Sequence, residues 1–65
     1  MAAPEQQAES DEEARRAAFA ALVALQDEGI PTGHSRVVIA DRFKLDVRTV
    51  REVEREGLTK KWPPL

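Results

Sequence analysis

The sequence predicts a small all-α domain of three helices, preceded by a disordered tail. Three observations carry this reading. An Ala-rich amphipathic stretch is bracketed by a polar cap and a glycine, two shorter helical segments follow across a brief connection, and cysteine is absent. The chain has 65 residues, and a chain this short buries only about 60% of the surface its unfolded form exposes. That leaves room for one domain and no deep substrate cleft. Without cysteine there is neither a disulfide nor a thiolate metal site, so stability must come from packing, helped by self-association.

Residues 1–9 are polar with no periodic apolar positions and read as the disordered tail. The domain is expected over 10–62, with 63–65 as a short C-terminal tail. Ser10 precedes Asp11, Glu12 and Glu13, which sets a cap and a reciprocal glutamate at capping-box spacing. Acidic residues there also complement the helix dipole. The first helix is therefore expected at about 11–28, ended by Gly29 in a left-handed turn. On 100° per residue, Ala18, Phe19, Leu22, Val23 and Leu25 share one broad face, the core side. Ala17, Ala20 and Ala24 lie opposite. They serve as helix formers or, on a second reading, as a close dimer contact.

Ile30-Pro31-Thr32-Gly33 reads as a connector, because Pro and Gly interrupt helices. Either Thr32 or Ser35 suits the next N-cap. The segment 36–43 is ambiguous alone, since Val37-Val38-Ile39 is β-branched and fits a short strand. The residues after it favour a helix. Lys44-Leu45-Asp46 is a short connection, Asp46 is a good cap, and a last helix fits 47–56 with Gly57 as its stop. Trp62 is expected to fold back on the core beside Leu58, with Pro63 and Pro64 ending any helix.

Charge is uneven along the chain. Residues 1–33 hold Arg15 and Arg16 against seven acidic side chains, a net of −5, and residues 34–65 net +3, giving −2 in total. The total argues against nucleic acid as a partner, but local field matters more than the sum.

The run from Arg36 to Arg55 resembles the helix-turn-helix of bacterial transcription regulators, transposase-like proteins and sigma-factor promoter-reading domains. The matching elements are small Ala40, Phe43 one turn later, apolar Leu45 in the turn, the cap Asp46, then Thr49-Val50 with Val53 three residues on. Lys44 stands where that family usually has glycine, and Asp46 where it often has serine or threonine. The resemblance implies a tri-helical fold in which the small residue lets two helices cross closely. It also implies that the 47–56 helix recognises double-stranded DNA.

A helical wheel reaches the same face independently. With Val47 at the origin, Arg51 falls at about 40°, Arg55 at about 80° and Arg48 at about 100°, an arc of roughly 60°. Val50 and Val53 lie opposite, and Glu52, Glu54 and Glu56 fall outside the arc. An arginine stripe opposite an apolar stripe suits the major groove, where Arg grips guanine O6 and N7 or a phosphate. The expected contacts are Arg48, Arg51 and Arg55 to bases or backbone and Val47 to a thymine methyl. Glu52 would accept from a cytosine amine. Lys44, Lys60 and Lys61 would reach phosphates. The competing explanation is a solvated helix in which Arg48 pairs with Glu52 and Arg51 with Glu54.

The expected function is sequence-specific binding of double-stranded DNA by a small cytoplasmic regulator, a homodimer in action because one helix reads few base pairs. The alternative is the same fold serving as a protein-interaction module for a polymerase, toxin or larger regulator. An enzyme is not expected, since no nucleophile–base pair or phosphate loop appears. Nor is a cofactor or metal, as His34 has no companion ligand. No apolar run reaches the ~18 residues of a membrane span, and the start is acidic rather than signal-like.

Overall fold

The computed structural model describes residues 11–65, and it is an all-α bundle of three helices. Helix α1 is Glu12–Asp27, α2 is Thr32–Phe43 and α3 is Val47–Lys60. The tail 1–9 and the proposed cap Ser10 lie outside the described residues. Asp11 takes the capping role instead: its Oδ1 accepts from Glu13 N–H at 3.0 Å.

Two boundaries depart from the sequence reading. Helix α2 begins at Thr32 rather than near Arg36, and neither Thr32 nor Ser35 caps it. Pro31 occupies the N-cap with no side-chain bond, and its carbonyl accepts from Ser35 N–H at 2.9 Å. A proline stops a helix that reaches it from the N-terminal side, yet it is well suited to begin one. The β-branched Val37-Val38-Ile39 run is helical because Ile39 reaches the core, where it is fully buried.

The second departure is at Gly57, which does not end α3. It is buried inside the helix, which runs on to Lys60. A Cβ built on Gly57 would overlap the Phe19 ring, so this glycine marks where α1 and α3 pack most closely.

All three helices end in the same way. Gly29 is left-handed (φ 95°), Gly29 N–H donates to Gln26 O at 3.0 Å, and Ile30 N–H donates to Leu25 O at 3.1 Å. This is the Schellman pattern. Lys44 (φ 57°) and Leu45 N–H to Ala40 O at 2.8 Å repeat it after α2. Lys61 (φ 53°) and Trp62 N–H to Gly57 O at 2.9 Å repeat it after α3. A left-handed lysine is strained by roughly 1–2 kcal/mol. Lys44→Gly relieves that strain against some added freedom in the unfolded chain. Thermal unfolding should show a midpoint higher by a few degrees; an unchanged or lower midpoint would refute the strain.

The core combines Ala18, Phe19 and Leu22 from α1, Ile39 and Ala40 from α2, Val50 and Val53 from α3, and Trp62. Val23, Leu25, Phe43 and Leu45 pack around its edge. Of the alanine stripe on α1, Ala17 and Ala24 are exposed and Ala20 is half-buried. Trp62 folds back on Phe19, edge to face at 6.1 Å between ring centroids, and Leu58 is exposed. Arg16 and Lys60 lie over the indole at 5.4 and 5.7 Å, a cation–π arrangement. Phe19 sits at the centre, and truncating such a ring removes about 3–5 kcal/mol. A chain of this size has only about 3–10 kcal/mol in all.

One ion cluster ties α1 to α3. Arg15 Nε meets Glu56 Oε1 at 3.0 Å, and Lys60 Nζ meets Glu56 Oε2 at 2.8 Å. The Arg15 hydrogen bond, then the Lys60 one, hold the Glu56 carboxyl below its ordinary pKa, with burial opposing them. A depressed carboxylate contributes stability above its unfolded pKa of about 4.3, and the contribution fades as pH falls through the lower folded value. Glu56→Gln should therefore flatten the fall in unfolding midpoint between about pH 5 and pH 2. An acid profile identical to that of the parent chain would contradict this assignment.

Candidate nucleic-acid interface

Helix α3 follows α2 across Lys44-Leu45-Asp46, and the geometry of that turn decides which face it shows to solvent. The left-handed Lys44 reverses the chain, and Leu45 pins the turn to the core edge. Asp46 has the extended N-cap conformation, but its side chain makes no capping bond. Val50 and Val53 then point inward at 1% and 2% exposure. Helical periodicity turns the opposite face outward.

On that outward face lie Arg48, Arg51 and Arg55, all exposed, with Glu52 at its margin. These four line one shallow depression. A second, adjoining depression is lined by Arg36, Arg51, Glu54, Arg55, Leu58 and Thr59. Val47 stands at the start of the helix, 40% exposed.

The anticipated salt bridges along α3 do not form. Glu54 turns to Arg36 of α2, with Arg36 Nη2 to Glu54 Oε1 at 2.8 Å, and Glu56 turns to Arg15 and Lys60. Among the described residues, Arg48, Arg51, Arg55 and Glu52 make no ion pair. The acidic side chains at 54 and 56 are thus spent on holding the bundle together, and the arginine face keeps its charge.

The expected lysine contacts separate from one another. Lys44 is exposed in the turn beside the start of α3. Lys60 is not on the arginine face: with α3 continuous through it, it falls more than about 100° from each arginine. There it is engaged with Glu56 and Trp62. Lys61 is exposed just past the helix end, in its left-handed conformation. Leu58, Thr59 and Arg36 join this surface without being anticipated from sequence. Ending the helix at Gly57 hides the first two. The wheel holds the missing signal, since Gly57 falls at about 280°, between Val50 and Val53 on the buried stripe.

Among the described residues no group of three or more His, Cys, Asp or Glu is placed to hold a metal ion, and no helix is long and apolar enough to cross a membrane. His34 is exposed in the first turn of α2. Comparison with known protein families, curated proteins and solved structures finds no match to this chain.

Proposed function

We propose that this chain is a helix-turn-helix protein that binds double-stranded DNA, with α3 in the major groove. The observation that supports this best is an exposed row of three arginines, without ion-pair partners among the described residues, directly opposite the valines that anchor the same helix. The groove is about 12 Å wide and an α-helix with its side chains is about 10–12 Å across, so α3 fits. From Arg48 to Arg55 the helix rises about 10 Å. That is about three base-pair steps, at about 3.4 Å each.

Along the helix axis Arg51 lies between Arg48 and Arg55, so Arg51 is assigned to a base edge and its neighbours to bases or phosphates. Lys44 meets a phosphate from the turn and Lys61 from the far end. Val47 and Leu58 bring apolar contact suited to a thymine methyl, and Glu52 accepts from a cytosine amine. A site of so few base pairs implies a homodimer on two half-sites about 34 Å apart, in the role of a small cytoplasmic transcriptional regulator. Light scattering on DNA-bound protein tests the dimer; a one-to-one complex on a palindromic duplex would refute it.

A protein-interaction role draws on the net charge of −2 and the 56% exposure of Leu58. Salt separates the two. DNA affinity must fall steeply as salt rises, because phosphate contacts release counterions. Lys44→Gly adds a second check: it should lower the salt slope by about one while the fold gains stability. A slope equal to that of the parent would remove Lys44 from the interface.

A further inference from the structure

Glu54 borders the arginine face yet is held away from it. Arg36 reaches its Oε1 through Nε at 2.9 Å and Nη2 at 2.8 Å. On the other side Gln26 Nε2 donates to Glu54 Oε2 at 3.3 Å and to Ser35 Oγ at 3.2 Å. The Ser35 hydroxyl, fully buried, donates in turn to the Thr32 carbonyl at 2.7 Å. One polar tie therefore runs through all three helices, with Gln26 on α1, Ser35 and Arg36 on α2, and Glu54 on α3.

Within its own helix Glu54 has another natural partner. Arg51 lies three residues earlier, a spacing at which opposite charges meet on a helix. Both side chains line the same depression. The Glu54 side chain is only 15% exposed, and a carboxylate so placed gains from a cation beside it. Arg36 supplies that cation, and Arg51 stands at the spacing from which it would take Arg36's place. In that case the arginine face would lose one of its three uncompensated charges.

We infer that Arg36 is a positioning residue for DNA binding: by holding Glu54 it keeps the Arg51 guanidinium uncompensated and presented to DNA. The inference rests on the DNA-binding reading and deepens it, because it makes the interface depend on a residue outside the recognition helix. Arg36 need not touch DNA. Its effect passes through the charge of Glu54, and removing that charge should remove the need for Arg36.

The test compares the parent chain with Arg36→Gln, Glu54→Gln and the double variant, on one short mixed-sequence duplex over a range of salt. Unfolding is followed by circular dichroism for each. Arg36→Gln should bind about five- to tenfold more weakly, with a salt slope smaller by about one. Glu54→Gln should bind at least as tightly as the parent. The double variant should recover the parent's affinity and slope.

A purely structural role for Arg36 would leave the double variant as weak as Arg36→Gln or weaker, and that result overturns the inference. So does parent-like binding by Arg36→Gln. Should Arg36→Gln fail to fold, the double variant still decides, since it carries no unpaired carboxylate. Without DNA, the Arg51 Nε–H resonance should shift in Arg36→Gln as Glu54 turns to it, and an unmoved resonance also counts against the inference. If the parent chain itself does not bind the duplex, it is the DNA reading that fails, and the inference with it.

Discussion

Arg51→Glu is expected to weaken binding to a short duplex by roughly a hundredfold at low salt, with the fold intact. Arg51 is exposed and makes no ion pair among the described residues, and substitutions at such sites usually move stability by no more than about 0.5 kcal/mol. The loss at the interface is larger than one contact. Reversal changes the local charge by two, so the salt slope should shrink by about two. A glutamate at 51 would also stand at pairing distance from Arg48 and Arg55 and draw both from the groove. Fluorescence anisotropy at two salt concentrations measures both effects. Unchanged affinity in a folded variant would remove α3 from the interface.

Gly57→Ala should destabilise the bundle by about 1–3 kcal/mol, which for a domain this small is roughly 4–8 °C of midpoint per kcal/mol. The sign is not obvious from propensity, since alanine inside a helix is favoured over glycine by about 1 kcal/mol. Packing decides it. The added methyl would occupy the volume of the Phe19 ring, and Phe19 is itself locked between the core and Trp62. The ring has no open side to yield toward. A thermal melt settles the direction, and a midpoint equal to or above the parent's would show that α1 and α3 do not approach as closely as described.

Much of the fold is legible from residue pattern. The amphipathic face of α1, the glycine stop at 29, the inward Val50 and Val53 and the Asp46 N-cap position all follow from spacing and local backbone preference. Lys44 stands in the strained seat that glycine usually fills, and its left-handed conformation agrees. The departures share a cause. Pro31 and Gly57 both tend locally to break helices, whereas here one starts a helix and the other permits a crossing. Gly57 depends on Phe19 across the bundle, which spacing along one segment does not encode. Pro31 is exposed, and it starts α2 because a proline suits a helix start.

The candidate site divides along the same line. The arginine arc is a property of one helix, and its wheel needs nothing else. The pairing of Glu54 with Arg36 and of Glu56 with Arg15 joins residues far apart in sequence. Intrahelical spacing suggests Arg51 for Glu54, yet Glu54 takes Arg36 in a less exposed position where a carboxylate gains more from a cation. Glu56 keeps its intrahelical Lys60 and adds Arg15. Lys60 departs from its expected place for a simple reason: its helix continues past Gly57 and carries it to another face.

The central claim is that the outward face of α3 binds DNA, and an amide NMR titration with a short mixed-sequence duplex tests it most directly. At low salt, shifts should concentrate from Lys44 to Arg55 and extend to Leu58 and Thr59, and they should shrink together as salt is raised. A folded protein whose spectrum does not respond to the duplex at low salt would contradict the claim.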